Sequence, residues 1–317
     1  MQAGTDNKHS GKQLVQDLNY RIVDAHHHLW DIHGEIRYPW LTHDEWAFMG
    51  DYCALKRDYL PPEYKRDSAL HKVVGTVAIE AECDRSQQVE EALWFAKMAQ
   101  QHGMPNAIVA HAWVDTPQSE DILSRLCEIP LVRGIRSKPL ISSGPGDNSV
   151  RGKPRSMQDP AWIKGVGLFQ QYGLSFDLRL PWWHLEEGAE VASIYPDLPI
   201  VLNHTGYPWD RRPASLEIWR KGMHEIAKRP NVHCKVSGLC VPGQPWTAEA
   251  NVPIIQEAIQ MFGPERCMFA SNFPVDGLKV TWDRMYCTFK EAIKGYTPKQ
   301  QQDMLADNAI RFYRLSL

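Results

Sequence analysis

The stretch Ile22-Val23-Asp24-Ala25-His26-His27-His28-Leu29-Trp30 reads as an apolar strand that ends in a cluster of imidazoles. Side chains of an extended chain alternate between faces, so His26 and His28 point one way and His27 the other. Two imidazoles side by side at a strand end can converge on one ion or on one substrate atom. A doubly wound open sheet, the competing architecture, would usually carry a Gly-rich phosphate loop at this place. Histidines there favour a closed barrel, whose chemistry collects at the C-terminal ends of its strands.

Outward from this stretch, short β-branched runs recur at 21–25, 73–81, 107–114, 131–137, 175–180, 200–204, 232–236 and 266–270. Helical periodicity over 87–101, 160–172, 184–195, 215–228 and 247–262 separates most of them, the pattern of parallel strands with helical crossovers. Several runs stay apolar until one polar residue at the C-terminal end, as strands buried on both sides with function at one rim require. The reading is an α/β fold, a (β/α)8 TIM barrel, built by residues 21–317 as a single domain behind a disordered arm at 1–20.

Two segments break the rhythm. Residues 29–66, rich in Trp, Tyr, Pro and Asp, exceed a usual connection of about 2–6 residues and predict an irregular insertion over the barrel mouth. Residues 138–158 predict a Gly/Pro/Ser-rich loop after the fourth strand, and both segments lie where barrel enzymes carry their lids. The last stretch, 297–317, predicts two short helices closing the bottom or side.

A chain of 317 residues suits one such barrel, and 43% hydrophobic residues leave enough apolar side chains for its core. The net charge of −3 and the absence of a basic run exclude nucleic acid as a partner. No apolar stretch approaches the roughly 18 residues that cross a membrane, and the first residues lack the apolar core of a secretory signal. Seven scattered cysteines without a CxxC pair read as reduced core thiols, hence a cytoplasmic protein.

Three strand ends carry the chemistry. His204 closes the run Val201-Leu202-Asn203-His204 and would bring a third imidazole to the rim of His26 and His28. Three nitrogen donors with an open position suit a zinc-type ion, which lowers the pKa of its water to about 7. At the eighth strand, Asn272 occupies the place where a general base would be useful, and an amide cannot be one. Asp276, four residues on, takes that role if the loop folds back; a turn-capping aspartate is the alternative reading.

Glu80 and Glu82 share one side at the end of the second strand, where either can touch the site or a neighbouring strand, and Glu82 is the candidate for substrate binding. Arg136 and Arg179 offer planar forks for a carboxylate, against a plain rim ion pair. Lys235 is unusual inside a strand and faces either the lumen or an ion-pair partner. Twelve tryptophans include a mouth group of Trp30, Trp40, Trp46, Trp113, Trp182, Trp183, Trp209 and Trp246, with Trp113 a candidate substrate wall.

With these residues assembled, the chain resembles the amidohydrolase-2 branch of the amidohydrolase superfamily, near the sugar-lactone and 2-pyrone-4,6-dicarboxylate lactonases. The likeness rests on DAHHHLWD at 24–31, RYPWL at 37–41, IEAE at 79–82, GIR at 134–136, LNHTGYP at 202–208, KVSGL at 235–239 and SNFPVD at 271–276, in family order. It implies a (β/α)8 fold and lactone hydrolysis. It also implies His26, His28 and His204 as ligands of a divalent metal, zinc or manganese, with Arg136 and Lys235 at polar positions of the fourth and seventh strands.

Asn272 departs from the pattern, since better-studied lactonases carry Asp there as base and potential ligand. That leaves the metal and the base open, and direct polarisation of the carbonyl by the histidines and arginine becomes an alternative. The expected function is hydrolysis of a small lactone, with a small-molecule substrate and a homodimer compatible with the sequence. The alternatives are a metal-dependent, non-oxidative decarboxylase of an aromatic acid, against which Asn272 counts, and a barrel that binds a ligand without turnover.

Overall fold

The computed structural model describes residues 20–42 and 51–317, so the 1–20 arm, apart from Tyr20, and part of the 29–66 insertion lie outside the described residues. Eight strands form one sheet: β1 (Ile22–His27), β2 (Val73–Ile79), β3 (Ala107–Ala110), β4 (Val132–Ile135), β5 (Ser175–Leu178), β6 (Ile200–Leu202), β7 (Val232–Val236) and β8 (Cys267–Phe269). Each pairs in parallel with the next in sequence order. The connections carry helices: α1 (Pro61–Asp67), α2 (Gln88–His102), α3 (Ser119–Cys127), α4 (Pro160–Gln171), α5 (Leu185–Ile194), α6 (Pro213–Ala227), α7 (Ala248–Phe262) and α8 (Trp282–Ile293). This is the (β/α)8 barrel that the spacing predicts.

Local chemistry sets the helix ends. Asp159 accepts a hydrogen bond from the Ala161 backbone N–H with Pro160 at the first position of α4, Thr247 caps α7 through Ala250, and α2 stops at Gly103 with φ +72°. Most strands are shorter than their apolar runs. The third ends at Ala110 rather than 114 and the sixth at Leu202 rather than 204, because the chain leaves the ladder before its polar rim residues.

The two ends of the sheet meet without a regular ladder among the described residues. Backbone bonds run from Asn272 N to His26 O and from His28 N to Phe273 O, both 2.8 Å. Asp24 adds a clamp, accepting from Ser271 N at 2.8 Å and Ser271 Oγ at 2.6 Å, and its second oxygen also takes Tyr64 OH at 2.8 Å.

Two apolar layers follow from the alternation. An inner cluster joins Val23, Ala25, Val77, Val109, Val201 and Met268 to Phe312 and Tyr313 of the C-terminal segment. A larger outer cluster fills the space between sheet and helices. Residues 298–313 form the short helices expected at the chain end, and Tyr313 reaches into the barrel to donate to Asp177 at 2.8 Å.

Two expectations need correction. Within the tryptophan group expected at the mouth, Trp30 is fully buried, its indole N–H on Arg57 O. The cysteines are not uniformly core thiols: Cys53, Cys127 and Cys287 are exposed, while Cys83, Cys234, Cys240 and Cys267 are buried. Trp46 lies outside the described residues. No helix among the described residues is long and apolar enough to cross a membrane.

Asp24→Asn replaces one acceptor with a donor that faces Ser271 or Tyr64. It is expected to lower the unfolding free energy by about 2–4 kcal/mol, read from urea midpoints at constant slope.

Candidate active site

The first strand does not alternate simply. Asp24 pairs with Thr76 and His27 with Ala78, so three steps of β1 run against two of β2, a bulge. Before it, Val23 and Ala25 face the inner cluster while Asp24 turns to Tyr64 in the outer one. The extra residue lets His26 also face inward. His28 then shares its side, and His27 returns outward to pack on Tyr64 at 4.6 Å.

The imidazoles of His26, His28 and His204 converge. His26 Nε2 and His28 Nε2 stand 3.3 Å apart, and the His26 and His204 ring centroids 4.4 Å apart. His28 Nδ1 lies 3.0 Å from Ile79 O, a carbonyl that can only accept, so this nitrogen carries the proton and Nε2 offers a lone pair. Lys235 Nζ, 3.5 Å from His26 Nδ1, assigns the opposite tautomer to His26, whose Nε2–H then donates to His28. His204 Nδ1 contacts Ser237 Oγ at 2.9 Å, which orients its ring.

All three rings are neutral at pH 7. Burial, then the Lys235 charge, holds His26 well below its ordinary value. Burial and Arg136 do the same for His204 and bring His28 to about 3.

Strain gathers at this rim. Glu82, His204, Thr205, Tyr207 and Asn272 all have positive φ without being glycine, and all follow β2, β6 or β8. Non-glycine residues adopt this region at a cost and concentrate at functional sites. Gly238 permits the close approach of the β7 loop, since a Cβ there would meet the His204 Cβ at 2.6 Å.

The other expected residues divide. Arg136 is buried and fixed, with Nε on Glu80 Oε1 and Nη2 on Glu80 O, both 2.6 Å. Burial alone would raise the Glu80 carboxyl, but Arg136 and Arg85 hold it well below the usual range. Arg179 donates through Nε to Tyr207 OH at 2.6 Å and has no carboxylate partner among the described residues. Glu82 does not stand free for substrate, because it pairs with Arg85 and Lys138. Trp113 lies edge to face against His111 at 4.5 Å, with the Arg155 guanidinium 3.5 Å from its ring centroid.

Lys235 does not line the open mouth. It is fully buried inside the barrel, Nζ on Asp177 at 2.5 Å, and burial brings it down to about 8 against the pull of Asp177. Its influence reaches the rim through His26. Asn272 donates through Nδ2 to Asp276 Oδ1 at 2.9 Å, and Asp276 is buried behind it with Oδ2 unpartnered among the described residues. Burial pushes the Asp276 carboxyl up to about 7.

Sequence reasoning missed Lys138, Asp177 and Ser237. Lys138 faces Glu82 and Arg179 and is drawn down to about 7 by desolvation and the arginine. Its position two residues past Arg136 was the available signal. Asp177 and Ser237 carried none, because their roles depend on strands distant in sequence.

A divalent ion fits the His26 and His28 pair. Two nitrogens bound at about 2.0–2.1 Å around a tetrahedral centre stand ~3.3–3.4 Å apart, the separation of these two atoms. Completion differs. Among the described residues, the sets of three ligand atoms all within 4.8 Å of one another are His71, Asp283 and Cys287, and Asp31, His33 and Asp58, not the three rim imidazoles. Asn272 also removes a carboxylate from the strand-eight position.

With this geometry in view, the amidohydrolase family model matches residues 23–315, and the chain belongs to that family. It is 36% identical over 93% of its length to the uncharacterized protein y4mH of Sinorhizobium fredii, covering 98% of that protein. It is 27% identical to an L-fucono-1,5-lactonase of Burkholderia ambifaria, covering 94% of this chain and 97% of that one. A solved amidohydrolase of Burkholderia multivorans with bound zinc superposes with a TM-score of 0.77 at 22% identity, over 93% of this chain and 99% of that one.

The raised Asp276 carboxyl has a stability consequence. Its folded value of about 7 exceeds an unfolded value near 3.8, so the folded state holds the proton more tightly and loses stability as pH rises between them. Asp276→Asn is expected to remove that decline, on the order of 4 kcal/mol between pH 4 and 8. Paired urea titrations at the two pH values measure it.

Proposed function

We propose that this chain is a hydrolase that opens a small lactone by attack of water on a ring carbonyl polarised by His26, His28 and His204. The observation that carries this reading is the meeting of three neutral imidazoles at one strained rim, beside an Arg179 guanidinium with no carboxylate partner among the described residues. Family membership and the lactonase named among its relatives support the reaction class.

Arg179 holds a hydroxyl or carboxylate of the substrate through its open Nη atoms, and Trp113 forms a wall. Arg136, locked by Glu80, contributes a fixed positive field near the carbonyl without needing to move. Lys235 adds to this field from below. Water activation falls to Asp276, because a carboxyl near 7 matches the operating pH of a general base. The water oxygen attacks the carbonyl carbon and its proton passes to the Asp276 carboxyl, whose Oδ2 is shielded in the free protein, so the Asn272 side chain must first swing aside. The ring C–O bond then breaks, and the leaving alkoxide recovers that proton to give the hydroxy acid.

His26 and His28 would hold a divalent cation, zinc or manganese, with His204 beside them. Such an ion would supply Lewis-acid polarisation of the carbonyl.

A panel of aldonolactones and carboxylated pyrones, followed by acid release, tests the proposal. Turnover by the native chain is expected, with kcat/KM reduced at least ~100-fold in His28→Ala. The rate of the native enzyme rises with pH through a limb near 7, and Asp276→Asn abolishes both limb and activity. Equal turnover by His28→Ala, or carbon dioxide release from hydroxybenzoates with no lactone opened, would overturn it.

A further inference from the structure

Below the rim, one carboxylate inside the barrel receives donors from three separate parts of the chain. Asp177, on β5, accepts from Tyr313 OH through Oδ1 at 2.8 Å. Its Oδ2 accepts from Lys235 Nζ at 2.5 Å and from Asn203 Nδ2 at 3.0 Å. All four residues are fully buried. The Lys235 ammonium also lies 5.1 Å from the centre of the Tyr313 ring, so this tyrosine touches both members of the ion pair.

Stability alone does not account for this group. A buried ion pair loses much of its attraction to desolvation, and packed apolar side chains of equal volume often serve a core as well or better. The Asp177 cluster is set apart by where two of its partners lead. Lys235 Nζ stands 3.5 Å from His26 Nδ1, and Asn203 is the chain neighbour of His204 at the end of β6. His204 and Thr205 follow Asn203 with φ of +57° and +51°. Non-glycine residues persist in this region where surrounding contacts over-determine them, and the bond from Asn203 to Asp177 is such a contact. One carboxylate therefore stands behind two of the three rim imidazoles, and Tyr313 fixes it from the C-terminal segment.

We propose that Asp177 is a positioning residue of the rim site, fixing His26 through Lys235 and His204 through Asn203, and that Tyr313 makes the C-terminal segment part of this support. Its effect on rate rests on the lactone-opening reading; its effect on the imidazoles does not. Neither Asp177 nor Tyr313 reaches the mouth, and Arg179 and Trp113 stay in place without them, so the two residues act on turnover rather than on substrate binding.

Asp177→Asn removes the charge and keeps the shape. An amide oxygen turned toward Lys235 and Asn203 still accepts from both, and the amide NH2 donates to the Tyr313 hydroxyl oxygen. The buried ammonium then lacks its counter-charge and leaves its place under His26. For the lactone that the native chain opens, kcat is expected to fall at least ~30-fold in Asp177→Asn and about 3–10-fold in Tyr313→Phe, with KM within about 2-fold in both. Because Tyr313 acts through Asp177, the double variant is expected to be no slower than Asp177→Asn alone. Histidine-selective 15N labelling of the full chain reads the same support without turnover. The ring nitrogen resonances of His26 and His204 are expected to move in both variants, while those of His71 and His184, whose partners are Asp283 and Glu187, stay. Unmoved resonances of His26 and His204, losses confined to KM, or rate losses that multiply in the double variant overturn the proposal. If the native chain opens no lactone, the reading of function fails and the resonances alone decide this one. Should Asp177→Asn not fold, Tyr313→Phe carries the test, because it keeps the ring against Lys235 and in the inner cluster.

Discussion

The hydrogen bonds from Ser271 to the Asp24 carboxyl close the barrel, and the site depends on that closure. Eight short parallel strands form a continuous sheet, and among the described residues its two edges meet through irregular backbone contacts and this clamp. Because Asp24 lies two residues before His26 and Ser271 directly precedes Asn272, the bonds that join the edges also set the rim. The bulge in β1 follows from the same demand. Asp24 must turn outward to be held by Ser271 and Tyr64, and one extra residue restores the inward direction for His26 and His28.

Charge inside the barrel is arranged in layers. Deepest lies Tyr313 on Asp177, which also takes Lys235 and Asn203. Above it Lys235 meets His26, and above that the neutral imidazoles share the rim with Arg136 and Arg179. Each cation below is fixed by a carboxylate or by packing, so the field at the imidazoles is set before any ligand arrives. In a poorly hydrated interior such fixed charges act more strongly than they would in water. Neutral rings surrounded by cations suit the stabilisation of developing negative charge on a carbonyl oxygen.

The lumen and the loops divide the labour. Strand ends hold the histidines on rigid backbone, while Glu82, Lys138 and Arg85 form an ion-pair network that closes one sector of the mouth. Across the mouth, Tyr207, Trp182, Trp183 and Trp209 form a run of ring contacts that leads outward from His204.

Much of this was legible in the chain alone. The β-branched runs and helical periods depend on neighbours in sequence, so eight strands, most of the long helices and the pairing of His26 with His28 could be read directly. His204 was legible as a strand-end imidazole, and Asn272 as a departure from the lactonase pattern. The bulge was not, because it is set by how β1 registers against β2, and its outward turn of Asp24 contradicts plain alternation. The lumenal place of Lys235, the pairing of Glu82 with Lys138, and the burial of Trp30 and of Asp276 also needed tertiary structure. The first three depend on a partner far along the chain, Asp177, Lys138 or Tyr59, and the last on how the turn after β8 folds back on Asn272, and composition and spacing carry no record of which side chain fills a space.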